Sequence, residues 1–137
     1  MNIEEAFVAG MLHDLGMMLV AFHLPDEMAA IEALLQKEKL SPETASARVL
    51  GASFKQLGLG VADAYSMPLP VREGISGWQE GAPVGQSKIG PIVAFASDLS
   101  AALAIVDPKA RAEQVARLRT RYGKVCPRGD KALEQLL

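Results

Sequence analysis

Hydrophobic positions recur along this chain at helical spacing, and no segment alternates with period two over a useful length. Residues 3–22 are apolar almost all round, the pattern of a buried central helix or pair of helices. Gly10 and Gly16 permit close packing or a bend within that stretch. Pro25 opens the next helix from its first turn, where a missing N–H costs nothing. Met28, Ile31, Leu34 and Leu35 give that helix one apolar stripe, with Glu27, Glu32, Gln36 and Lys37 outside it. Ser41-Pro42-Glu43 is a second start: hydroxyl cap, proline at the first position, carboxylate at the positive end of the dipole. This short helix stops at Gly51. Ser53-x-x-Gln56 is then a capping box for a helix expected to turn Leu57, Val61 and Tyr65 inward. Met67-Pro68-Leu69-Pro70 breaks it, and a further short helix is predicted over 71–78.

Residues 79–90, rich in Gly and Pro, form the one clear loop. Beyond it Ile92, Phe95, Leu99, Leu103 and Val106 recur at helical spacing and are expected to face the core. Asp107-Pro108 starts a last long helix with Val115, Leu118 and Tyr122 inward. Lys109, Arg111, Arg117, Arg119 and Arg121 are expected to point largely outward, and Gly123 to end the helix in the left-handed conformation. Asp130 is expected to cap a final turn ending at Leu137. There are no internal repeats. The pattern predicts an all-α fold, an irregular orthogonal bundle of short helices.

At 137 residues the chain is one domain's worth of sequence. Half the residues are hydrophobic and only 5% aromatic, so Leu, Ala, Val, Ile and Met must build the core. The longest charge-free apolar run, 15–22, is too short to span a bilayer. Glu4 and Glu5 stand where a signal peptide would carry basic residues, so none is expected. The lone Cys126 fits a reducing, cytoplasmic setting and is read as an ordinary thiol. Net charge is −2 but unevenly spread: residues 1–106 carry 6 basic and 12 acidic side chains, residues 107–137 carry 8 basic and 4 acidic. The basic stretch reads as a solvated face rather than a nucleic-acid surface. Glutamates interrupt it and no aromatics are interleaved for base stacking.

The chemistry-bearing feature is His13-Asp14, set in the apolar run 6–16. An imidazole and a carboxylate side by side in such surroundings are costly to bury unless hydrogen-bonded, paired or metal-bound. His23, just before Pro25, reads as a helix-end histidine that meets the dipole. Ser53, Ser66, Ser76, Ser87 and Ser97 lie in no nucleophile elbow. Gly58-Leu59-Gly60 lacks the strand context of a dinucleotide fingerprint, and Gly85-Gln86-Ser87-Lys88 lacks the spacing of a phosphate loop. Trp78 with Gln79 marks either a partner surface or the rim of the core.

Ala6-Phe7-Val8-Ala9-Gly10-Met11-Leu12-His13-Asp14-Leu15-Gly16 resembles the "AF-x-AGLLHDIG" signature of HDOD domains, HD-related output domains of bacterial signalling proteins. The likeness continues through His23-Leu24-Pro25-Asp26-Glu27, Val49-Leu50-Gly51 and Leu57-Gly58 to Met67-Pro68-Leu69-Pro70, and reaches residues 92–103, in all residues 5–104. The resemblance implies an HD-domain-like helical fold, with residues 1–106 corresponding to the C-terminal half of such a domain and 107–137 to a basic helical tail packing on it. It also implies descent from HD phosphohydrolases, whose metal site uses a first His, a His-Asp pair and a distant Asp. His13 and Asp14 match the pair and Asp98 the distant Asp; the first His would lie upstream of Met1. Active relatives add histidines near the positions of Phe54 and of Ser76-Gly77-Trp78, where this chain has none. The expectation is therefore a vestigial metal site at His13, Asp14 and Asp98, with no catalytic residue and no resident cofactor beyond a candidate divalent metal. The function expected is a non-catalytic signalling module that acts through a protein partner, with self-association a candidate and neither membrane nor nucleic acid expected. The alternative is a metal-dependent phosphohydrolase completed by residues outside this chain. A structural cluster at these three residues would make His13→Ala destabilising by about 1–3 kcal/mol.

Overall fold

The computed structural model describes residues 3–126, which form eight helices and no strand: α1 (Ile3–Leu12), α2 (Leu15–His23), α3 (Pro25–Lys37), α4 (Pro42–Leu50), α5 (Phe54–Ala64), α6 (Leu69–Ser76), α7 (Ile89–Leu103) and α8 (Pro108–Tyr122). The all-α expectation holds. The expected turn capped by Asp130 lies outside the described residues.

Several helix starts follow from local chemistry. Ser41 Oγ accepts from the Thr44 amide, and Pro42 occupies the first turn of α4. The Ser53–Gln56 capping box closes reciprocally at 3.1 and 2.9 Å, and Asp107 Oδ2 accepts from the Ala110 amide at 3.0 Å. Gly51 ends α4 in the left-handed region at φ 78°. Gly123 does not do the same for α8: its φ of −56° continues the right-handed path, and its amide bonds to the Arg119 carbonyl.

The N-terminal stretch departs from the expected buried element. A turn at His13-Asp14 divides it into α1 and α2, and only Ala9, Gly16 and Val20 are buried. Ile3, Phe7, Met11 and Phe22 face outward. The reason is that close helix approach selects the small side chains. Ala9 sits against Gly74 of α6, and Gly16 meets the backbone of α5. A Cβ on Gly16 would fall deep inside the Phe54 carbonyl, and one on Gly58 would lie 3.2 Å from the Gly16 nitrogen. That contact also rotates α5, burying Phe54, Gly58 and Ala62 and leaving Tyr65 exposed. By length and composition alone, Ile3–His23 would suffice to cross a membrane. Here it is broken at His13-Asp14 and packs against α5 and α6.

The core is a set of small clusters. Val20, Ile31, Ala45 and Phe54 join α2 to α5; Ala62, Val71 and Ile75 join α5 to α6; Ala9 packs with Ile89 and Val93. Trp78, Ala102, Val115, Leu118 and Tyr122 hold α8 to α7. In α7 the buried positions include Val93 and Ala102, with Phe95 and Leu99 partly buried, whereas Leu103 is exposed. Val106 lies past the end of α7, so its helical phase no longer points at the core. Helix α6 starts at Leu69, two residues before expected, with Pro70 inside its first turn, and it ends at Ser76, leaving Trp78 in the following loop.

Glu73 of α6 braces that loop against the start of α7. Its carboxylate accepts from the Gln86 amide at 3.0 Å, from the Ser87 amide at 3.1 Å and from the Ser87 hydroxyl.

Because Gly16 has no room for a side chain, Gly16→Ala should lower unfolding free energy by about 2–3 kcal/mol. Gly60 is the control: open space surrounds its missing Cβ, so Gly60→Ala should stabilise by up to about 1 kcal/mol through helix propensity. Urea denaturation of the two variants checks both signs.

Candidate functional site

A cleft of about 440 Å³ opens where α2, α5, α7 and α8 meet. That volume lies within the range of small-molecule sites. His13 and Asp14 lie at the α1–α2 turn on one side, and Asp98 comes from the middle of α7 on another. The three residues singled out by sequence therefore line one cleft. His23 does not; it ends α2, exposed, with its ring edge-on to Phe22.

His13 Nδ1 lies 2.5 Å from the Gly10 carbonyl oxygen, which can only accept, so this nitrogen carries a proton. Nε2 then faces Asp14 Oδ2 at 3.2 Å. That contact is favourable when the ring gains a second proton or when a cation is shared between the two groups. Their side chains are 28% and 50% exposed, more than the apolar run suggests, because the turn lifts them to the surface. Solvent screens such a pair, so the energy expected for His13→Ala falls to about 0–1 kcal/mol.

Asp98 has partners that the sequence did not point to. Tyr122 of α8 donates its hydroxyl to Asp98 Oδ2 at 2.6 Å, and Arg121 Nη1 lies 3.7 Å from the same oxygen. Tyr122 is buried, with its ring against Trp78 and Phe95. Burial, and then the carboxylate it serves, push its phenol far above the ordinary tyrosine range. Arg121 thus turns into the cleft instead of outward with the other basic side chains of α8. Its Nε is buried with no hydrogen-bond partner among the described residues. Lys55 and Glu43 complete the charged lining; the Glu43 carboxylate accepts from the Lys55 amide at 3.0 Å and so ties α4 to α5.

Trp78 is buried, and its Nε1 donates to the Ala82 carbonyl at 3.0 Å. It is a core residue beside the cleft rather than a partner surface. Cys126 is partly buried, and burial raises its thiol pKa, which weakens it as a nucleophile.

The donor set does not fit a bound metal as it stands. Holding a divalent ion takes at least three converging side chains. Among the described residues no three of His, Cys, Asp and Glu gather closely enough to do so. What the cleft offers is a half-exposed His-Asp pair, one carboxylate held by a phenol and a guanidinium, and a lysine on its wall.

Tyr122→Phe should cost about 1 kcal/mol at neutral pH, because Asp98 is 40% exposed and water replaces part of the bond. The wild type should also lose stability relative to this variant above about pH 10. There the unfolded tyrosine ionises while the folded one keeps its proton, so rising pH favours unfolding. Thermal melts from neutral to alkaline pH measure both effects.

Neither a curated protein nor a solved structure matches this chain significantly. The sequence profile of the HDOD domain matches residues 1–80. That stretch holds the His13-Asp14 turn and helices α1–α6; α7, with Asp98, and α8 lie beyond it, so the match is shorter than the 5–104 over which the motifs were followed. The profile spans more than half of the chain, and the chain belongs to the HDOD family.

Proposed function

We propose that this protein is a non-catalytic, cytoplasmic signalling module of bacterial type that works through protein–protein contacts, its HD-type metal site degenerate. Residues 1–106 form the HDOD-type body in this reading, and 107–137 a basic tail whose helix α8 packs on α7. The observation that carries it is the engagement of Asp98. In the parent chemistry this carboxylate would be a ligand; here a buried tyrosine and an arginine from α8 hold it. His13 and Asp14 are then left as a pair, one ligand or more short of the grip that activating water on a phosphate ester requires. Such a half-exposed pair, with Asp98 also lining the cleft, offers polar groups to a protein partner, in keeping with membership of a family of HD-related output domains.

One observation favours a second reading. An Nδ1–H bound to a backbone carbonyl leaves Nε2 directed at a neighbouring carboxylate, which is how ligating imidazoles are commonly held. Ligands from outside this chain could complete a metal-dependent phosphohydrolase around it.

Protein purified without chelator should contain sub-stoichiometric divalent metal. It should show no phosphodiesterase or nucleotidase turnover above that of His13→Ala. A stoichiometric ion together with turnover abolished in that variant would establish the hydrolase instead.

A further inference from the structure

Helix α1 leaves a ridge of large apolar side chains uncovered beside a groove of small ones. Ile3, Phe7 and Met11 recur every four residues, and Phe7 is 66% exposed. At 100° per residue the three lie within one quarter of the helix circumference. Ala6 and Gly10 lie on the neighbouring quarter and form one wall of a groove of about 540 Å³. Ala96, Ser100 and Ala101 of α7, with Ala104 just past its end, form the other wall. His13, Asp14, Ile92 and Val93 also line the groove. Knobs and the hole to take them therefore stand side by side on one face.

We infer that this face binds a second copy of the chain as a symmetric pair, the ridge of each copy lying in the groove of the other. An isologous contact needs a self-complementary patch, and adjacent ridge and groove supply one. Size agrees. The exposed apolar parts of Ile3, Phe7, Val8 and Met11 with the groove floor come to roughly 500 Å², at the upper end of what a monomer leaves uncovered. Two such faces bring together about 1,000 Å², the lower limit for a specific interface, so the affinity expected is micromolar.

Charge argues against a lipid surface as the occupant. The first 36 residues carry six acidic side chains and no Lys or Arg, whereas helices that lie on membranes flank their apolar face with basic residues. The groove shares His13 and Asp14 with the cleft, but the ridge on α1 and the small side chains of α7 carry the contact, so association is measurable with or without metal in the cleft.

Sedimentation of the full chain across micromolar to near-millimolar concentration tests it. The wild type should show a reversible monomer–dimer equilibrium that persists in about 1 M salt, as an apolar contact does. Phe7→Glu on the ridge and Ala96→Lys in the groove should each weaken association at least tenfold with helical circular dichroism unchanged; both positions are exposed. Met11→Glu replaces Phe7→Glu if the latter loses helicity. A wild type that stays monomeric throughout overturns the proposal. So does a groove variant that still dimerises, a dimer that dissolves in salt, or a monomer that floats with phosphatidylcholine–phosphatidylglycerol vesicles.

Discussion

Two glycines, Gly16 in α2 and Gly58 in α5, let the two helix backbones touch, and the placement of nearly everything else follows from that contact. With no side chain between them, α2 lies directly on the first turns of α5, which brings the His13-Asp14 turn to the mouth of the cleft beside Phe54 and Lys55. The same approach sets which face of α5 is buried, and α5 in turn seats α6 through Ala62, Val71 and Ile75. Small residues govern this fold at its closest crossings. Bulk is pushed to the outside, where Phe7, Met11 and Phe22 remain.

This inversion decides how much was legible in the sequence. Local signals were read well because they act within one turn: the caps at Ser41, Ser53 and Asp107, the prolines at helix starts, and the stop at Gly51 all stand where expected. The stripe of α3 with Ile31 at its centre and the inward set Val115, Leu118 and Tyr122 of α8 hold as well, since each of these helices has one partner face. The α1–α2 stretch and α7 are apolar on several sides, so no buried face could be chosen for the first and periodicity favoured the large side chains of the second. Ala9 and Ala102 were missed, while Gly16 stands at the close packing expected of it. Nothing in a hydropathy pattern tells which of several apolar faces will meet a neighbour.

At the cleft, the sequence pointed to His13, Asp14 and Asp98, and all three line it. Tyr122 was placed in the core but not linked to Asp98, and Arg121 was placed outside. Their 23- and 24-residue separation from Asp98 spans the α7–α8 connection, and only the packing of one helix on the other reveals it. The residues that hold Asp98 also lie beyond the stretch shared with the family profile. The cleft thus joins a turn inside the matched stretch to two helices outside it.

Glu73 has a wider consequence than a loop tether. One carboxylate takes the place of the backbone pairing that would otherwise define where α7 begins, and α7 carries Asp98 and one groove wall. Side chains at 80–84 can therefore change without shifting the helix, so long as the carbonyl at 82 still takes the Trp78 indole proton. An acceptor at 73 and two amides opposite it are what such divergence has to preserve.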